Sequence, residues 1–376
     1  MPVLDDDLQQ KIAVLAAKKQ QRILVPSTRA ADNAISRSGA PLLSFSCNDY
    51  FGLSQHPKVI EAAVAATQKY GVGAGASRLV SGNHPHYAEL EAALARAKGC
   101  EAGLVFGSGY LANLGAIPAL MGKNDLILAD KFSHACMLDA AKLSGATVLR
   151  FAHNNVAHCK MLLEAHRAEH HNCLILTETV FSMDGDRTPM AALKELAGAH
   201  DAWLMSDDAH GFGVIEQPVR ADIQMGTLSK SLGAYGGYVC GSKTLIDYLQ
   251  TTARSFVFST ALPPATVAAA KVALDILQSD ENLRAAPLKN ALYFTQLLGI
   301  KVAESAIVPV IIEDNEKTLK ASEMLASEGY YVAAIRPPTV PENTARLRFA
   351  FSAQHSKSQI EAVATLLLEK GFVCAP

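Results

Sequence analysis

The chain predicts an α/β protein: a mostly parallel sheet covered by helices, with a smaller C-terminal α+β domain behind it and a helical arm in front. Between about residues 100 and 240, short apolar runs alternate with helical stretches. The runs are Ala102 to Phe106, Leu126 to Ala129, Thr147 to Phe151, Cys173 to Thr177, Trp203 to Asp207 and Tyr238 to Gly241. Such alternation is the signature of βαβ units. The runs are continuously apolar, as strands buried on both faces are. Beyond about residue 280 the rhythm changes to a few strands among helices. The expected division is an N-terminal arm over 1–45, a large domain over 46–280 and a small domain over 281–376.

In the arm, Leu4, Leu8, Ile12 and Leu15 recur at helical spacing, which predicts an amphipathic helix. Lys18, Lys19 and Arg22 would suit the dipole at its end. Leu42 to Leu53 reads as a short strand leading into a turn, and a helix follows from Pro57 to about Tyr70. Gly71 to Arg78 is a glycine-rich loop. It lacks the third glycine of a dinucleotide fingerprint, and a helix rather than a strand precedes it, which argues against a nicotinamide site. After Pro263-Pro264, helices are expected to about Gln278 and from Asn282 to Leu298. The tail predicts strands at Ile307 to Ile312, Tyr331 to Ile335 and Arg346 to Phe351. Helices are expected from Asn315 to Glu328 and from Lys357 onward.

Composition narrows the function classes. With 376 residues, 49% of them hydrophobic and 19% charged, the chain resembles an ordinary soluble enzyme. A formal net charge of −2 argues against nucleic acid or an anionic membrane as the main partner. No apolar run approaches the ~20 residues that span a bilayer, and the start, with Asp5, Asp6 and Asp7, is acidic where a signal peptide is basic. The seven cysteines form no C-x-x-C pair, which reads as reduced thiols of a cytoplasmic protein.

The chemistry centres on Gly226-Thr227-Leu228-Ser229-Lys230-Ser231-Leu232-Gly233. One lysine lies among small and hydroxyl residues, with more glycines after it. Small residues let a backbone approach a ligand, and hydroxyls can hold a phosphate. A desolvated lysine loses its proton more easily and becomes a nucleophile. A surface lysine in a polar loop would look the same in isolation, so the other strand ends matter, because ligands of open α/β sheets collect there. Gly107-Ser108-Gly109-Tyr110 opens a helix after one strand and can bind phosphate or simply cap the helix. Asp207 and His210 follow another strand. His134 follows a third, and Glu178 with Ser182 a fourth. Each can be a cap or a turn residue, and the signal lies in their joint placement.

Two other constellations carry less. His166 and His170 are spaced i, i+4, but the flanking Glu164, Arg167 and Glu169 read as a solvated helix face and no H-E-x-x-H pattern is present, so no metal is expected. Asp207 and Asp208 are adjacent on an extended strand and therefore point to opposite faces, which prevents them from sharing a proton.

Taken together, these landmarks resemble the α-oxoamine synthases, pyridoxal-phosphate enzymes of fold type I. The likeness runs from Asn48-Asp49-Tyr50-Phe51-Gly52-Leu53-Ser54 to Ala345-Arg346-Leu347-Arg348-Phe349. Between them come Ser108-Gly109-Tyr110, Ser133-His134-Ala135, Val180 to Gly185, Asp207 to Gly211, Thr227 to Lys230 and Phe258-Ser259-Thr260. The resemblance implies a seven-stranded-type sheet and pyridoxal 5′-phosphate bound covalently through Lys230. It implies that Asp207 holds the pyridine nitrogen protonated, that His210 bonds the ring 3′-oxygen and that His134 stacks on the ring. Ser108, Gly109, Tyr110 and Thr227 would hold the phosphate, with Ser259 or Thr260 from the second subunit of a homodimer, and Ser182 would lie beside the cofactor. Arg348 would grip the amino-acid carboxylate, with Asn48, Glu178 and Arg22 near the substrate.

Within the family, Ala334-Ile335-Arg336-Pro337-Pro338-Thr339-Val340-Pro341 and Phe151-Ala152-His153-Asn154 favour the biotin-pathway branch. That branch joins L-alanine to a pimeloyl thioester, carried on CoA or on an acyl-carrier protein. The alternatives are a sister reaction of glycine with acetyl-CoA, an aminotransferase of the same fold, and a non-catalytic pyridoxal-phosphate-binding module. The chain departs from the family pattern at Phe212, where a threonine is usual, at Tyr110, where phenylalanine is common, and in a short stretch from Val214 to Gln224.

Overall fold

A computed structural model describes residues 3–17 and 20–373. Its centre is a seven-stranded sheet in the order Ala102–Phe106, Gly237–Gly241, Ile223–Thr227, Trp203–Asp207, Cys173–Glu178, Leu126–Asp130 and Thr147–Phe151. Gly237–Gly241 runs antiparallel to both neighbours, and the remaining pairs are parallel. Side-chain parity divides the core. Leu126, Leu128, Cys173, Ile175 and Leu204 pack with Leu163, Leu193 and Ala197 on one face. Ile127, Ala129, Leu174, Leu176 and Met205 pack with Ile117, Met137 and Leu249 on the other. This two-sided burial is why the strands read as continuous apolar runs.

Ile223–Thr227 is a strand that the apolar pattern does not announce. Gln224, Gly226 and Thr227 break the run, yet all five residues are buried because strands pair on both sides. Tertiary position supplies what local pattern lacks.

The C-terminal layer contains an antiparallel sheet ordered Ile307–Glu313, Ala345–Ala350, Ala333–Ile335. The stretch expected as one strand from Tyr331 to Ile335 divides at Val332. Tyr330–Tyr331 instead pairs in parallel with Leu43–Ser44, extending the antiparallel strands Ser27–Arg29, Ala34–Arg37 and Ala40–Ser44. Residues 27–44 therefore join the C-terminal layer. Phe45 seals this junction, packing on Phe349 and Phe351 with ring centroids 5.9 and 5.8 Å away.

The helix Val3–Ala17 forms where the spacing predicts it, but none of its residues is buried. Leu4, Leu8, Ile12 and Leu15 are all exposed. It ends before Arg22, which lies outside any helix or strand, and Lys18 and Lys19 fall outside the described residues.

One buried histidine gives the C-terminal layer a pH dependence. His355 stacks on Phe45 at 4.1 Å. Its Nδ1 accepts the Ser352 N–H at 2.9 Å, and its Nε2–H donates to the Ser44 carbonyl at 3.1 Å. Burial pushes its pKa down to about 4, against ~6.5 in an unfolded chain. The unfolded state thus binds the extra proton first, so this stabilisation is complete above pH ~6.5 and is lost as pH falls toward 4. The difference amounts to about 3 kcal/mol. Thermal midpoints measured from pH 7 to 4 should fall less steeply in His355→Gln, which retains a donor and an acceptor. Identical slopes in both proteins would contradict this.

Candidate active site

The parallel ladder aligns the polar strand ends. Glu178 is paired with Asp207, and Asp207 with Met225, so the carboxylates of two neighbouring strands emerge side by side. Both are buried. Asp208 turns the other way, into a buried ion pair with Lys98, which keeps the two aspartates apart.

Lys230 follows the strand Ile223–Thr227. Its side-chain amine makes no hydrogen bond or ion pair to any described residue, although Asp207, Glu178 and Arg348 are close enough to act on its charge. Burial lowers its pKa, and the two carboxylates oppose that shift. Burial likewise raises the pKa of Asp207, against the pull of Lys230. Glu178 is pushed well above the usual carboxylate range, by burial first and then by Asp207. Desolvation thus dominates, and each group is driven toward its neutral form.

The surrounding side chains are positioned by specific bonds. Asp207 accepts the Ala209 N–H at 2.9 Å and an Asn113 Nδ2–H at 3.2 Å. Glu178 accepts the backbone N–H of His134 at 2.6 Å. His134 is an exposed residue whose Nδ1 caps the helix Ala135–Ser144. His210 is buried, with its Nδ1 2.6 Å from the Tyr50 hydroxyl. Burial raises the Tyr50 pKa to about 12 and holds that of His210 well below its ordinary value. Both groups are thereby held neutral, joined by this short contact, and the Tyr50 hydroxyl also reaches Asn48 Oδ1 at 3.5 Å. Arg348, also buried, donates through Nε to the Ser182 carbonyl at 2.5 Å. Both of its terminal nitrogens bond Asn48 Oδ1 at 3.2 Å.

A helix N-terminus adjoins this group. Ser108 caps the helix Gly109–Leu120. A Cβ added at Gly109 would lie 3.4 Å from the Thr227 Cβ, so the helix N-terminus opens directly beside Thr227. Gly237 makes that approach possible, because a Cβ there would meet the Ser108 carbonyl at 2.4 Å. Helix N-termini with free N–H groups favour phosphates.

Most of the anticipated residues meet. Lys230, Asp207, Glu178, His134, His210 and Arg348 interact electrostatically as one cluster, with Asn48 and Ser182 attached through Arg348. Ser259 and Thr260 line a small cleft with Gly107 and Arg78. Tyr110 is exposed and donates to Asp139 at 2.5 Å. Arg22 lies elsewhere, in a cleft bounded by Ile12, Leu15 and Arg336 to Thr339. Sequence reasoning assigned no role to Tyr50 or Asn113. The signal for Asn113 was available: it is the one side-chain amide in an otherwise apolar helix, Gly-Tyr-Leu-Ala-Asn-Leu-Gly-Ala-Ile-Pro-Ala-Leu.

The donor set fits pyridoxal phosphate: an amine without a partner, a buried carboxylate, two imidazoles and a helix N-terminus for the phosphate. Comparison with known proteins agrees. The family model for class I and II aminotransferases matches residues 40–367. An 8-amino-7-oxononanoate synthase from Methylobacterium nodulans is 52% identical, covering 98% of each chain. The chain belongs to the 8-amino-7-oxononanoate synthase family. A Methylobacterium radiotolerans synthase is 53% identical over 97% of each chain. Among solved structures, a Sphingomonas wittichii serine palmitoyltransferase superposes with a TM-score of 0.91 at 30% identity, over 99% of both chains. The 8-amino-7-oxononanoate synthase of Francisella tularensis gives 0.74 at 26% identity, over 88% of this chain and 99% of that one.

Proposed function

We propose that this chain is a pyridoxal-phosphate-dependent acyltransferase that condenses L-alanine with a pimeloyl thioester, releasing carbon dioxide and a thiol and yielding 8-amino-7-oxononanoate for biotin synthesis. The observation that carries this reading is the desolvated, partnerless Lys230 beside Asp207, in a chain half identical to synthases of that name along almost its whole length. When bound, pyridoxal phosphate supplies a covalent anchor for an amine and an electron sink for negative charge at the carbon beside it.

The residues divide the remaining work. Ser108, Gly109 and Thr227 would hold the phosphate, with Tyr110 next to them at the start of the same helix. Asp207 would hold the cofactor's ring nitrogen with its carboxylate, His210 would bond the ring 3′-oxygen, and His134 would stack on the ring. Arg348 receives the alanine carboxylate, and its contacts to Asn48 and Ser182 hold the guanidinium in place. Lys230, whose pKa burial lowers, takes the alanine Cα proton. A carbon–carbon bond then forms to the thioester carbonyl, and the carbon–sulfur bond breaks to release the thiol. The original carboxylate leaves as carbon dioxide, and Lys230 returns a proton to the carbon. Exposed Val72, Val80, Tyr235 and Phe258 support a homodimer, in which Ser259 and Thr260 would serve the partner's site.

The direct test is an absorption spectrum of the holoenzyme, before and after L-alanine and then pimeloyl-CoA, with carbon dioxide assayed. A visible band perturbed by alanine, with carbon dioxide released only when pimeloyl-CoA is present, supports the proposal. A response to glycine and acetyl-CoA instead would reassign the substrates, and no band after adding the cofactor would overturn the scheme.

A further inference from the structure

The Asp130–His153–Asp186 bridge lies outside the set of residues assigned above. His153 follows the edge strand Thr147–Phe151. Its Nδ1 is 2.9 Å from Asp130 Oδ1 and its Nε2 is 2.8 Å from Asp186 Oδ2. Both ring nitrogens face carboxylates, so both must carry protons, and the ring is an imidazolium. Burial works against that charge, yet the two carboxylates push its pKa up to about 10. Phe132 lies against the ring at 4.5 Å and Phe181 meets it edge-on at 4.4 Å. Asn154, held at φ 54°, completes the bridge: its N–H donates to Asp130 Oδ2 at 2.8 Å and its Nδ2 to Asp186 Oδ2 at 3.1 Å.

Each carboxylate organises a different wall of the site. Asp130 ends the strand that leads into Ser133 and His134, and it also accepts the Phe132 N–H at 2.8 Å. Asp186 closes the turn Phe181 to Asp186, where its carbonyl accepts the Phe181 N–H at 3.1 Å. That turn presents the Ser182 carbonyl to Arg348 and the Asp184 carboxylate to Arg346. We propose that His153 is a positioning residue for the reaction: by tying the loop of His134 to the turn that receives Arg348, it sets the spacing between the cofactor-covering imidazole and the carboxylate fork. The inference rests on the amino-acid-condensing reading given above. Small misplacements are costly in such sites, with about 1 Å sufficient for ~100-fold in rate.

The test is steady-state kinetics of holoenzyme variants. His153→Gln reaches one carboxylate but not both, and Asp186→Asn keeps the shape of the bridge while removing one charge. Both should raise the KM for L-alanine and lower kcat, by about 10- to 100-fold combined for His153→Gln, with a smaller effect for Asp186→Asn. Cofactor affinity should change little, because Ser108, Thr227 and Asp207 stand on other elements. Imidazole added to His153→Gly should restore part of the loss. Variants with lower melting temperatures but wild-type kcat and KM would overturn the proposal by showing a purely structural role. If His153→Gln fails to fold, Asp186→Asn decides alone. A wild-type protein whose spectrum ignores alanine would instead defeat the amino-acid reading itself, an outcome distinct from variants that behave like a responsive wild type.

Discussion

Replacing Lys230 with alanine should reduce turnover by at least about 10⁴-fold, since one side chain serves as both covalent anchor and proton carrier. Its surroundings explain why no neighbour can substitute. Glu178 is buried, driven toward its protonated form, and committed to the His134 N–H. His210 is held neutral, and its Nδ1 is occupied by Tyr50. Lys230→Ala should still take up cofactor reversibly through the phosphate site and Asp207, but the bond should no longer survive borohydride reduction and denaturation. The folded variant retaining turnover within tenfold of wild type would refute the assignment.

Replacing Asp207 with asparagine should cost about 10²- to 10³-fold in kcat, the scale of losing one preorganised electrostatic contact. The amide fits the same space and can still accept the Ala209 N–H. What is lost is the negative charge that keeps a ring nitrogen protonated. The same residue should show the opposite sign in stability. Burial raises its folded pKa above the unfolded value, so the folded state holds its proton to higher pH than the unfolded chain. Stability from this group therefore declines as pH rises from about 4 through the folded pKa. At pH 7 the cofactor-free Asp207→Asn protein should melt above the cofactor-free wild type, and adding cofactor should stabilise wild type more. Equal cofactor-induced shifts in the two proteins would show that Asp207 makes no charged contact to the ring.

How legible this molecule was in its sequence depended on the reach of each interaction. Strands buried on both faces, such as Cys173–Glu178, appear as continuous apolar runs because every position has the same solvent, which is none. Helix caps such as Ser108 and Asp280 are local contacts that act within three residues, and they mark helix starts directly. Ile223–Thr227 was not legible as a strand, because its burial comes from neighbours ten or more residues away in sequence. The split of Tyr330–Tyr331 from Ala333–Ile335 was hidden for the same reason, since two different sheets claim adjacent residues.

The sequence by itself determined the alternation of strands and helices, the lysine among small residues and the polar residues at successive strand ends, because periodicity, glycine placement and strand termini are local properties; it did not place residues 27–44, grouped with the arm over 1–45 but paired with the C-terminal strand Tyr330–Tyr331. Only the tertiary structure decided the electrical state of the site. Asp207, Glu178, Lys230 and His210 are ordinary ionisable residues until burial removes their water, and burial is a property of everything packed around them. The partners that steer them were decided there too. Tyr50 reaches His210 across 160 positions and Arg348 reaches Asn48 across 300, contacts that no sequence window contains.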